Sequence, residues 1–220
     1  MTSTLTRPAT PDARTSRLLQ AGVAAGPLFL GLGLLQAFTV DGFDLRRHPL
    51  SLLSVGEHGW IQIANFVVSG VLVIACAVGL RRALHPGRGG TWGPWLVGVY
   101  GVGLIVAGVF SADPGAGFPA GAPEDAPPDL SVHAILHGVG AALAFNGMAI
   151  ACLVFARRFA ALRHWGWVAA SVATAVSAVA IASWPGDGIS VRLVVASAIL
   201  FAYLTALVQR VRHGLPDARR

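Results

Sequence analysis

SADPGAGFPAGAPEDAPPDLSVHAILH, from Ser111 to His137, is a proline- and glycine-rich acidic loop that runs directly into a helix bearing two histidines. Apolar runs of membrane-spanning length flank it on both sides, which makes it a connection at a bilayer surface. Asp113, Glu124, Asp125, Asp129, His133 and His137 gather there, in a chain that elsewhere carries few polar groups.

Composition points the same way. Hydrophobic residues make up 55% of the 220 and charged residues 12%, against about a quarter charged in soluble domains. Mean hydropathy is +0.66. A hydrocarbon core of roughly 30 Å takes about 20 helical residues per crossing, so the chain has room for six spans and little else. The expectation is an all-α integral membrane bundle of six transmembrane helices forming one domain over residues 18–209. A short disordered lead precedes it over 1–17 and a basic tail follows over 210–220. The lead has no small-residue cleavage site after a short apolar core, so the first span is expected to remain uncleaved.

Working outward from the loop, the preceding span covers about 92–110 and the following one about 130–155, with Asp129 or Ser131 as N-cap. Upstream lie spans at about 18–40 and 60–80. Downstream lie spans at about 165–184 and 190–208, joined by the tight turn PGDGIS. Gly22 with Gly26, and Gly98, Gly101, Gly103 and Gly108, supply small surfaces for close helix approach. Trp60, Trp92, Trp95, Trp165 and Trp184 fall at span ends as interface anchors. Cys76 and Cys152 lie within apolar runs and read as small buried hydrophobes rather than a disulfide or thiolate ligands.

The charges orient the bundle. All sixteen basic residues are arginine, and thirteen fall in the lead, the connections RRALHPGR and RRFAALR, and the tail; Arg46, Arg47 and Arg192 are the exceptions. The positive-inside rule therefore places both termini in the cytoplasm of a multi-pass protein of the prokaryotic plasma membrane. Eight of the ten acidic residues fall on the other face, all but Asp12 and Asp217. This sorting accounts for a pI near 10.9 without a nucleic-acid partner. The lipid bilayer is the implied partner, together with a small-molecule or lipid ligand.

The run HPLSLLSVGEHGWIQIANFVVSG, followed by GVFSADPGAGFP and SVHAILHGVGAALAF, resembles the prokaryotic membrane family called domain of unknown function 998, over about residues 26–201. The patterns are LS-x-G-x-x-GW-x-Q, DP-x-x-GFP and H-x-x-x-H. They are matched by His48, Ser51, Ser54, Gly56, Trp60, Gln62, Asn65, Asp113, Pro114, Phe118, Pro119, His133 and His137. The resemblance implies a polytopic membrane fold and brings no activity to carry over.

The chemistry is therefore argued from the residues. His133 and His137 stand four apart at the outer start of a helix, on one face and about 6 Å apart along the axis. That spacing suits two ligands of a divalent metal such as zinc, with Asp113, His48 or Asp44 as a third, although no glutamate lies between the histidines to act as base. The structural alternative is a pair of histidines hydrogen-bonded across helices. Asp113 lies at a helix end before Pro114, as a turn residue or as a carboxylate partner for a histidine. Gln62 and Asn65, one and two turns into the second span, are expected to face the bundle interior, with Asn146 as their partner.

Three classes of function remain. The first is a polar outer-face pocket of Asp113, His133, His137, His48, Gln62 and Asn65, binding a small or lipid-soluble ligand; a metal-dependent enzyme for a lipid-like substrate is its variant. The second is a proton-coupled transporter, weakened by the lack of an inverted repeat or a mid-membrane ionisable group. The third is a non-catalytic scaffold or sensor. The pocket without a metal ranks first, because polar groups within a bundle demand one another's contact in any case.

Overall fold

The computed structural model describes residues 11–125, 129–184 and 188–214. Most of the expected lead, the first half of the PGDGIS turn and Asp217 in the tail lie outside the described residues. Six helices run in chain order: α1 Ala13–Thr39, α2 Gly59–Leu84, α3 Trp92–Val109, α4 Val132–Ala161, α5 Trp165–Ser183 and α6 Ile189–Arg212, with a short 3-10 helix, Leu50–Val55, between α1 and α2. All six long helices have the length and apolarity to cross a membrane. The protein is a six-helix membrane bundle.

Local chemistry sets the helix starts. Asp12 accepts the Thr15 backbone N–H at 2.7 Å, so α1 begins at Ala13, five residues before the apolar stretch that announces the span. Here an N-cap wins over hydropathy. Ser131, rather than Asp129, caps α4 by accepting the Ala134 N–H at 3.1 Å. Pro27 sits inside α1, which continues through it.

Consecutive helices pack side by side, α1 on α2, α2 on α3 and α3 on α4, while α6 returns to α1 and α5 leans on α4 and α6. Glycine makes the central contacts close. A Cβ on Gly103 would lie 2.5 Å from the Ala144 nitrogen, and one on Gly70 would lie 2.6 Å from the Gly101 oxygen. The backbones of α2, α3 and α4 thus touch, in the manner of small-residue membrane interfaces. Phe155, Phe159, Leu80, Met148 and Leu204 fill the interior, and Cys76 and Cys152 are buried free thiols. The five interface tryptophans are all more than 60% exposed.

The alternating helices leave one end rich in arginine and the other covered by a cap made from residues 40–58, 110–125 and 129–131. Reporter fusions at Arg82, Arg158 and the C-terminus are expected to read cytoplasm, and a fusion at Glu124 the outside. A cytoplasmic Glu124 would invert every assignment of sides.

Candidate functional site

The cap is two loops locked together by His48. This histidine is 3% exposed; its Nδ1 accepts the Asp44 backbone N–H at 2.9 Å, and its Nε2 lies 2.9 Å from the Ala116 oxygen. Because Nδ1 accepts, Nε2 carries the proton and donates, which fixes a neutral tautomer. Phe43 packs edge-on and Phe118 tilted against the ring, with centroids 5.2 and 5.4 Å away, and Arg47 pairs with Glu124 across the same seam. Gly117, at φ 80°, lets the chain reverse so that Phe118, 2% exposed, plugs the cap. Gly56 gives Phe118 its seat: a Cβ there would lie 3.3 Å from the Phe118 ring.

Asp113 joins the cap to α4. Its carboxylate accepts both the backbone N–H (2.8 Å) and the hydroxyl of Ser131. The Ser131 side-chain bond, then the backbone bond, and more weakly the attraction of His133, hold the carboxyl below its ordinary range against a small opposing desolvation. A carboxylate lowered in this way stabilises the fold above the ordinary carboxylate range, and that contribution is lost as pH falls through the lowered value. His133 lies on the exposed side of α4 against the Phe110 ring, at 5.4 Å.

His137, one turn further in, is held differently. Its Nδ1 lies 2.8 Å from the Ala107 oxygen and 3.0 Å from the Phe110 oxygen, so it donates to the end of α3. A helix end leaves its last carbonyls without partners, and this imidazole supplies one. The proton on Nδ1 leaves Nε2 with the lone pair.

His137 also lines a pocket with about 80 Å³ of free space. A single water needs about 10–15 Å³, so there is room for several small groups. The walls are mostly carbon: Phe29 of α1, Leu50 of the 3-10 helix, Phe66 of α2, Leu104 of α3, Phe145 of α4, and Leu193 and Leu200 of α6. Its polar members are His137, Tyr100, Ser51 and Ser197. No α5 residue lines it, and α4 and α6 barely touch each other.

The six expected site residues therefore separate into four places. Asp113 and His133 lie near the start of α4, where His133 acts only weakly on the carboxylate, His137 lines the pocket wall, and His48 is the cap's bolt. Gln62 and Asn65 are 0% and 1% exposed and face α1, not the pocket. Gln62 Oε1 accepts from Gln36 Nε2 (2.9 Å) and from Asn65 Nδ2 (3.2 Å), and Asn65 Nδ2 also reaches the Phe29 oxygen at 3.0 Å. The expected partner Asn146 is instead exposed on α4 and bonds its own helix at the Ala142 oxygen. The reason is angular: Asn146 lies on the turn of α4 that faces away from α3, while Gly147 and Met148 face in. Among the described residues, no three His, Cys, Asp or Glu side chains converge as metal ligands. Both nitrogens of His48 and the Nδ1 of His137 are already committed.

Sequence reasoning missed Gln36, Tyr100 and Ser197. Gln36 carried a signal, as an amide within an apolar span needs a partner. Tyr100 and Ser197 carried none, since tyrosine and serine are ordinary in helix interfaces.

A family model described as protein of unknown function (DUF998) matches residues 23–208. No curated protein and no solved structure matches.

Proposed function

The chain belongs to the DUF998 family, and we propose that it binds a lipid-soluble ligand with one polar group in the pocket between α4 and α6. The single observation that carries the reading is the state of His137. Its Nδ1–H is spent on two carbonyls at the end of α3, so the residue offers a hydrogen-bond acceptor to a mostly carbon-lined space. A ligand hydroxyl or amide N–H is the matching donor. Mostly apolar walls with a few placed polar groups are the usual make-up of a small-molecule site.

The route of entry follows from the packing. The sparse contact between α4 and α6, and the absence of α5 from the lining, favour lateral access from the bilayer beneath the cap. On the arginine rule this is the outer leaflet of the plasma membrane. The cap, bolted by His48, then closes the pocket to water, which strengthens any hydrogen bond made inside.

The test uses the purified protein in lipid nanodiscs with a photoreactive long-chain alcohol. Adducts are expected on the α4 and α6 walls. Ser197→Phe, which fills the pocket from a half-buried position, should remove most of them. His137→Leu should weaken labelling about fivefold, the worth of one net hydrogen bond of about 1 kcal/mol. Labelling spread evenly over lipid-facing residues, and indifferent to both substitutions, would end this reading.

A further inference from the structure

A second groove lies at the opposite, arginine-rich end, on the lipid-facing side between α3 and α4, with a volume of about 940 Å³. Its mouth carries Arg88 from the α2–α3 connection and Arg157 from the last turns of α4, both exposed, with Trp92 at the first position of α3 beside them. Its floor is aliphatic: Leu96, Ile150 and Val154. Ile150 is 49% exposed and Trp92 71%, so the groove is an open furrow on the bundle's flank. We propose that it holds one anionic glycerophospholipid, with the phosphate between Arg88 and Arg157 and an acyl chain along Leu96, Ile150 and Val154.

Charge complementarity selects this occupant. The one described carboxylate at this end, Asp12, acts on Arg82, and the one ion pair among the described residues, Arg47 with Glu124, is at the other end of the bundle. Among the described residues, then, no carboxylate lies beside these two guanidinium groups at the headgroup level. Guanidinium is the side chain best matched to phosphate, through paired N–H donors.

The connection bearing Arg88 is also held in place. Arg158, 2% exposed, donates from Nη1 to the Arg88 oxygen at 2.8 Å, and Gly89 turns the chain at φ 73° directly against α4. The Arg88 side chain therefore leaves a fixed backbone. Arginines that served orientation alone would need neither the anchored connection nor an aliphatic furrow beneath them. A tryptophan at the mouth fits the same depth, because its ring sits at the headgroup boundary.

This site is separate from the α4–α6 pocket and does not depend on it. The experiment is native mass spectrometry of protein extracted from vesicles of phosphatidylcholine doped with phosphatidylglycerol. Wild type is expected to retain phosphatidylglycerol over phosphatidylcholine. The double variant Arg88→Gln/Arg157→Gln should lose that retention about tenfold or more, two basic side chains near a membrane surface being worth that much. Arg210→Gln/Arg212→Gln, on α6 and equal in charge removed, should keep it. All four side chains lie outside the core, and melting curves in phosphatidylcholine alone will show both variants folded. Equal loss in both variants, equal retention of the two lipids, or full protection by inorganic phosphate without lipid would each overturn the proposal.

Discussion

Gly103→Ala is expected to lower the melting temperature of the detergent-solubilised protein sharply, and Gly103→Leu to abolish the folded state, while Gly98→Ala leaves stability unchanged or slightly higher. Both positions in this comparison lie on α3, so helix propensity alone predicts a gain of up to about 1 kcal/mol for either alanine. Packing reverses the sign at one of them. A Cβ at Gly103 would meet the Ala144 nitrogen at 2.5 Å and the Gly140 oxygen at 2.6 Å, whereas at Gly98 it would meet only the Ala77 methyl at 3.9 Å. The atoms facing Gly103 are backbone and cannot rotate aside, so α3 and α4 must separate along their whole contact. Ordinary overpacking costs about 1–3 kcal/mol, and this one also undoes the reciprocal fit of Gly140 against the Ala107 nitrogen, at 2.6 Å. Thermal unfolding of the variants measures it. Equal behaviour of Gly98→Ala and Gly103→Ala would mean that α3 and α4 do not meet through these glycines.

The loop that flanks α4 is where sequence and structure can be compared most closely. That it lies at a membrane surface, and that the spans on either side are helices, was legible because apolar run length has one meaning in a bilayer. Which of its polar residues meet was not. His133 acts on Asp113 only weakly, and the hydrogen-bond partner of Asp113 is Ser131, a residue that the sequence offered only as a cap. His48 and Ala116 are brought together by the fold of two loops, and a backbone acceptor has no sequence signal at all. The spacing of His133 and His137 put them on one side of α4, but a turn of helix separates an exposed ring from one that reaches the end of α3. Four residues bring two side chains to one face without giving them one environment.

The same comparison explains the patterns behind the family resemblance. In DP-x-x-GFP, Asp113 ties the loop to α4, Gly117 takes a positive φ and Phe118 fills the cap. In LS-x-G-x-x-GW-x-Q, Gly56 seats Phe118, Gly59 lets α2 start against the Ser54 carbonyl, and Gln62 bonds α1. Each of these residues has a structural duty, in building the cap, in starting α2 or in joining α1 to α2. Of the H-x-x-x-H pair, only His137 keeps an unspent polar atom beside a pocket, which is why the proposed ligand site rests on it and not on the whole set.

Gln62→Ala is expected to destabilise the protein by about 2–3 kcal/mol, and Gln62→Met by clearly less. Alanine leaves a void at a fully buried position and removes the acceptor shared by Gln36 and Asn65. Methionine restores most of the volume and removes the acceptor alone. Neither donor is then wholly abandoned, because Gln36 Nε2 still reaches the Leu32 oxygen at 3.2 Å and Asn65 Nδ2 the Phe29 oxygen at 3.0 Å. Methionine also deletes Gln62 Nε2, a buried donor that no acceptor meets, and that deletion is a gain. The loss for methionine is therefore the difference between two forfeited bonds and one relieved donor, and interhelical bonds of this kind in membrane proteins average about 0.6 kcal/mol. A double-mutant cycle of Gln62→Met with Gln36→Met, read by denaturant unfolding in detergent, isolates the bond between α1 and α2. A coupling of about 0.5–1.5 kcal/mol is expected. Strict additivity, with alanine and methionine equally harmful at position 62, would mean that the two amides do not meet and that α1 is held to α2 by packing alone.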